Sequence, residues 1–172
     1  MPLISLDHVI LAVNDLESSA ARFRQRFGLA SLPGGRHPAW GTANRIVPLG
    51  QTYLELMGIG DDAAAQRSPL GRRVSATSAG GDAWLSWVLR VDDVVPEAQR
   101  LGLAVAEGSR ERPDGTVLSW RIAGLEVAGD RRLVAEWVGG ELPWVRFVPG
   151  APGLRAVAVG PPEAEIVIRA DL

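Results

Sequence analysis

The feature that most restricts the fold is a rhythm that occurs twice. Leu6 to Val13 is rich in Val, Ile and Leu and ends at the turn pair Asn14-Asp15, so it reads as a strand. Asp15 then caps a helix in which Leu16, Ala20, Phe23 and Phe27 recur at helical spacing, with Gly28 as its stop. Three short strands follow: Leu29 to Leu32, halted by Pro33-Gly34-Gly35, then Ala43 to Leu49, then Thr52 to Met57. The second half repeats the order. Leu85 to Val91 is a strand ended by Asp92-Asp93; Val94, Ala98 and Leu101 are helical in spacing, and Gly102 is the stop. Leu103 to Glu107, Thr116 to Ala123 and Leu133 to Val138 complete the set of strands.

The match extends to residues. Val13-Asn14-Asp15-Leu16 parallels Val91-Asp92-Asp93-Val94, and Phe27-Gly28-Leu29 parallels Leu101-Gly102-Leu103. Arg45-Ile46 parallels Arg121-Ile122, and Leu54-Glu55-Leu56 parallels Ala135-Glu136-Trp137, all at offsets of 74 to 81 residues. A near-constant offset is the mark of duplication. The expectation is an α+β fold of two tandem βαβββ modules, over residues 3–58 and 84–140, joined by a turn-rich linker at 59–83. A short helix is expected in that linker, over Asp62 to Arg67. Residues 141–172 form a C-terminal extension, in which Leu154 to Val159 and Ala164 to Arg169 flank Gly160-Pro161-Pro162 as a β-hairpin.

Composition narrows the chemistry. The 172 residues include no cysteine, which removes disulfides, thiolate metal sites and a thiol nucleophile. Every basic residue is arginine, so Schiff-base and P-loop lysines are excluded as well. The net charge of −2 supplies no field for nucleic acid, and no apolar run near the start is long enough for a membrane span. A soluble cytoplasmic protein with a small-molecule partner is the expectation.

Alternation along the strands places the chemistry. Val9, Leu11 and Val13 share an aliphatic face suited to packing under the helix, which turns His8 to the concave side. In the fourth strand Leu54 and Leu56 should face the helix, with Tyr53, Glu55 and Met57 on the concave side. Glu136 occupies the equivalent place in the second module. An imidazole and two carboxylates around one hollow invite a divalent cation: Zn, Mn, Fe, Ni or Co. The plainer alternatives are a histidine satisfied by a carbonyl and glutamates paired with arginines such as Arg45.

Leu6-Asp7-His8-Val9, the stretch Gly34-Gly35-Arg36-His37-Pro38-Ala39-Trp40-Gly41-Thr42-Ala43-Asn44-Arg45, and Tyr53-Leu54-Glu55-Leu56 resemble the glyoxalase-like domain of the vicinal oxygen chelate superfamily, over about residues 3 to 140. The resemblance implies a curved, half-open barrel that commonly holds one divalent metal polarising vicinal oxygens of a substrate. It implies isomerase, lyase, epimerase, dioxygenase or thiol-transferase chemistry, although some relatives bind a drug without metal. Residue by residue, it implies metal ligation by His8, Glu55 and Glu136, with either glutamate free to shuttle a proton. The fourth ligand position falls on Ser86, a poor ligand, which favours a metal-free binding module as the alternative.

His37, Asn44, Arg45, Ser86 and Trp120 are the substrate-binding candidates. His37 belongs either at the pocket mouth or, more plainly, exposed on a loop; as a replacement for the missing ligand it is disfavoured. Asn44 and Arg45 are adjacent on a strand, so only one of them can face the cavity. For Arg45 the competing reading is a structural ion pair. The six tryptophans suit either an apolar pocket or ordinary core packing. The resemblance also leaves room for a homodimer, through sheet edges or exchange of the tail hairpin.

Overall fold

The computed structural model describes the backbone of residues 5–49, 52–125, 132–139, 157–159 and 166–168, and side chains within 6–49 and 52–125. The first module runs β1 (Ser5–Ala12), α1 (Leu16–Phe27), β2 (Leu32–His37), β3 (Thr42–Pro48) and β4 (Tyr53–Ile59). Two helices follow, α2 (Asp62–Arg67) and α3 (Pro69–Ser78). The second module is β5 (Ala83–Arg90), α4 (Val94–Leu101), β6 (Val105–Glu111), β7 (Val117–Ala123) and β8 (Arg132–Gly139). In the tail, β9 (Val157–Val159) and β10 (Ile166–Ile168) pair antiparallel, within the two segments expected to form a hairpin.

The modules are topological copies. In each, the first and last strands pair in parallel, β1 with β4 and β5 with β8, and the other neighbours are antiparallel. The strand circuit is β1-β4-β3-β2-β6-β7-β8-β5. The modules join along a long antiparallel β1–β5 ladder, interrupted by register shifts between Leu6 and His8 and between Ile10 and Leu11. On the other side the circuit closes through a single pair, Arg36 with Glu111, between β2 and β6. A curved barrel with one weak seam is the result.

The duplicated caps form as the sequence reading requires. Asp15 accepts from the Ser18 amide at 2.6 Å, and Asp93 from the Val95 amide at 3.0 Å. Gly28 and Gly102 end their helices at φ 68° and 66°, a left-handed backbone that favours glycine. Val9, Leu11, Val13, Val47, Leu54 and Leu56 pack against Ala20, Phe23 and Phe27 of α1 on the outer side of the sheet. Val91, Val94, Ala98 and Ala123 do the same beneath α4. The inner side is filled by Ile10, Met57, Leu85, Val88, Ile122 and Trp40.

Three elements differ from expectation: the strand read over Leu103 to Glu107 is displaced to Val105–Glu111, and two others depart further. The second strand is not Leu29 to Leu32 but Leu32–His37, running through the Pro-Gly-Gly run read as its stop. A register shift between Pro33 and Gly35 absorbs one residue there, and a strand at a weakly paired seam tolerates proline. The segment 59–83 holds α3 as well as the expected α2. Ser68 caps α3 by accepting from the Gly71 amide at 2.8 Å, Pro69 sits in its first turn, and Leu70 and Val74 close over the inner core.

Candidate active site

His8, Glu55, Tyr53 and Met57 all point inward, as alternation along β1 and β4 demands. They line a cavity together with Ile10, His37, Trp40, Leu70, Val88, Arg110, Trp120 and Ile122. The free space is about 40 Å³. That is room for about three water-sized groups.

A buried polar chain runs along one wall. Arg90 Nε donates to Asp7 Oδ2 at 2.8 Å, and Asp7 Oδ1 meets His8 Nδ1 at 2.7 Å. His8 Nε2 lies 3.1 Å from Glu55 Oε2. Asn44 donates to Glu55 Oε1 through Nδ2, and His37 Nε2 stands 4.0 Å from the same oxygen. His37 Nδ1 is held by Thr42 Oγ1 at 2.8 Å. The His8 ring stacks on Tyr53, with centroids 4.4 Å apart and planes 13° from parallel.

Adjacent strand residues ordinarily face opposite ways, so contact between Asp7 and His8 needs a local cause. The β1–β5 register shifts between Leu6 and His8, making Asp7 the extra residue of a bulge. Bulges re-aim side chains in this way. Asp7 is fully buried between Arg90 and His8.

The charges follow from this geometry. Burial acts to lower the His8 pKa, but the hydrogen bonds and charges of Asp7 and Glu55 outweigh it and raise it to about 9. Burial acts to raise the Glu55 pKa, and the His8 bond and charge, His37 and Asn44 outweigh that, lowering it to about 2. His37 falls to about 4, chiefly through burial, with Arg110 and His8 adding to the effect against the pull of Glu55. Burial lifts the Tyr53 hydroxyl well above its ordinary value.

The site candidates from sequence separate into groups. His8, Glu55, Asn44, His37 and Trp120 are brought together. His37 is not on an exposed loop: it ends β2 and is 3% exposed. Its ring sits 5.7 Å from that of Trp40 and 5.9 Å from that of Trp120. Trp120 packs edge-on to Trp40 at 5.7 Å, over Gly108, where a Cβ would lie 2.6 Å from Trp40 Cη2. Arg45 is a correction: it takes the opposite face from Asn44, donating to Glu17 at 2.8 Å and to Ser31 Oγ at 2.9 Å, away from the cavity. Glu55 is therefore partnered by His8 and Asn44 rather than by Arg45. Ser86 pairs with Ile10 and is wholly buried, outside the residues lining the cavity. Glu136 stands opposite Arg121 in the β7–β8 register, and its side chain lies outside the described residues.

Sequence reasoning missed Asp7, Arg90 and Arg110. The Asp-His pair at the start of β1 was a usable signal for Asp7. Arg110 gave none, since the strand read from the sequence there, Leu103 to Glu107, stops short of it.

A model of a glyoxalase-like domain family matches residues 6–170. The chain belongs to that family, within the vicinal oxygen chelate superfamily. None of the curated proteins matches it. Among solved structures it is similar to a hypothetical protein from Staphylococcus aureus, at 14% identity and TM-score 0.61, covering 80% of this chain and 60% of that one. It is also similar to methylmalonyl-CoA epimerase from Mycobacterium tuberculosis, at 17% identity and TM-score 0.57 over 78% of this chain and 88% of that one. A single-residue variant of the Streptomyces coelicolor methylmalonyl-CoA epimerase, in complex with 2-nitronate-propionyl-CoA, matches at 15% identity and TM-score 0.56, over 76% and 95% of the two chains. At such identities the likeness is one of fold.

Among the described residues there is no donor set to match the divalent metal implied by the superfamily; the side chain of Glu136, the third expected ligand, lies outside them. Among the described residues no group of three His, Asp or Glu side chains could hold an ion. His8 and Glu55 bond to each other, and Arg110 adds a cation to the same cavity. The described side chains do not by themselves form a metal site. No described helix is long and apolar enough to cross a membrane.

Proposed function

We propose that this glyoxalase-like protein is an enzyme of the isomerase type, moving a proton at a carbon next to a carbonyl in a small oxygenated substrate. The observation that supports it is the buried Asp7–His8–Glu55 chain, opening onto an apolar cavity. The pair is an internal salt bridge at rest. A substrate carbonyl that accepts from His8 Nε2 loosens this bridge, and the basicity of Glu55 rises as its counter-charge is drawn away. Glu55 then takes the carbon-bound proton. The electron pair left behind becomes an enolate whose oxygen takes the His8 hydrogen bond. Return of the proton to another face or carbon completes the isomerisation. Asp7 and Arg90 hold the imidazole ring in place throughout, as a positioning pair.

The test is proton exchange. Wild-type protein in D₂O with a panel of small 2-oxo acids, hydroxyketones and acyl thioesters should incorporate deuterium at the carbon next to the carbonyl, read by proton NMR. Glu55→Gln should lower the rate by roughly 100-fold or more, the scale of losing a general base. Wild type with no exchange on any member, or full activity in the variant, overturns the reading. Ligand binding without exchange would make the cavity a binding module instead.

A further inference from the structure

The cavity holds one charged group that the proton-transfer chain does not use. Arg110 of β6 lines it and is 3% exposed. Its Nε is buried with no hydrogen-bond partner among the described residues. The nearby acids are committed elsewhere: Asp7 to Arg90 and His8, Glu55 to His8 and Asn44. A buried guanidinium without a bonded anion is among the most costly arrangements a fold can keep. β2 passes close to the β6 backbone at this point: a Cβ on Gly35 would collide with the Glu111 carbonyl oxygen and lie 2.8 Å from Arg110 Cγ. Trp40 and Trp120, in edge contact with each other, line the same cavity.

We propose that Arg110 anchors the carboxylate of a small monoanionic ligand, held in the cavity between β6 and the Glu55 wall. A guanidinium presents a planar fork that matches a carboxylate with two parallel hydrogen bonds. The free space of about 40 Å³ accepts such a flat group with little more than its first carbon. The negative Glu55 on the same cavity works against a dianion such as phosphate. The carbon that carries the carboxylate meets the apolar walls formed by Ile10, Met57, Trp40 and Trp120. The inference deepens the proton-transfer reading by naming the substrate class, a small carboxylic acid with an adjacent oxygenated carbon. Its binding half stands without that reading.

The probes are short monocarboxylates (propionate, pyruvate, lactate), the matching amides and inorganic phosphate. Binding is followed by tryptophan fluorescence and by the rise in melting temperature. Wild type should bind at least one carboxylate and prefer it over its amide. Arg110→Met should weaken that carboxylate by roughly 10- to 100-fold, the scale of losing charge-assisted hydrogen bonds. Arg110→Lys should recover part of the loss. Without ligand, Arg110→Met should melt at the same temperature as wild type or higher, because a buried unpaired charge has been removed. The proposal is overturned if no carboxylate binds wild type, if amides or phosphate bind as well, or if Arg110→Met keeps wild-type affinity. It is also overturned if the unliganded methionine variant melts well below wild type, since Arg110 would then be a structural ion-pair partner. Carboxylate binding that needs Arg110, with no deuterium exchange, refutes the proton-transfer reading and leaves the anchor standing.

Discussion

Replacing His37 with glutamine should erase a pH dependence of stability between pH 6.5 and 4.5. The imidazole is 3% exposed, and burial lowers its pKa from 6.5 to about 4. The unfolded chain therefore takes up the proton first as pH falls. Stability conferred by the neutral folded form is present above 6.5 and is lost steadily on acidification, levelling off near pH 4. The full slope is about 1.4 kcal/mol per pH unit, and because it is reduced at both ends of the range the two units together cost about 2 kcal/mol. For a chain of this size that is roughly 4–8 °C in Tm. The other shifted groups stay out of the window. His8, raised to about 9, is protonated in both states below 6.5, and its contribution is lost only as pH rises toward 9. Glu55, lowered to about 2, loses its contribution only below about 4.5. The chain has just two histidines, so no other imidazole can mimic the effect. Urea or thermal unfolding of wild type and His37→Gln across pH 4.5 to 7.5 measures it. Parallel curves, or a wild type that gains stability on acidification, would refute the argument.

Three further outcomes follow from the packing. Asp15→Ala removes the acceptor for the Ser18 amide and should lower the midpoint of urea unfolding, while Asp15→Asn, which keeps an acceptor, should leave it near wild type. Gly108→Ala pushes a methyl into the Trp40–Trp120 pair and should cost roughly 1–3 kcal/mol, with a shift in tryptophan emission as the rings part. Arg45→Gln should leave ligand binding unchanged and cost at most about 1 kcal/mol, because its partner Glu17 is 78% exposed at the side chain. A large loss of ligand affinity in that variant would restore Arg45 to the site.

Much of the architecture was readable because it depends on local pattern. Val9, Leu11 and Val13 alternate cleanly enough to orient β1, and that orientation turns His8 inward. Asp15 with Gly28, and Asp93 with Gly102, bracket their helices with the residues that helix ends require. What escaped depends on partners distant in sequence. α3 carries Gly71, Ser75 and Thr77, poor helix formers, and is held by the burial of Leu70 and Val74 in a core built from both modules. β2 runs through Pro33 and Gly34 because β3 pairs with it. Asp7 reaches His8 only through a bulge opposite β5, and strict alternation assigns it to the other face. Arg110 enters the cavity because the second module closes on the first, which no spacing within β6 records.

The single Arg36–Glu111 pair between β2 and β6 sets how the molecule can breathe. The long β1–β5 ladder acts as the spine of a book, and the sparse seam is its open edge. His8 and Glu55 belong to one cover, Arg110 and Trp120 to the other. Parting the covers at the edge opens a path to the interior without breaking the spine. A guest gripped from both sides would clasp them shut, so amides flanking that edge should exchange with solvent far more slowly once the guest is inside.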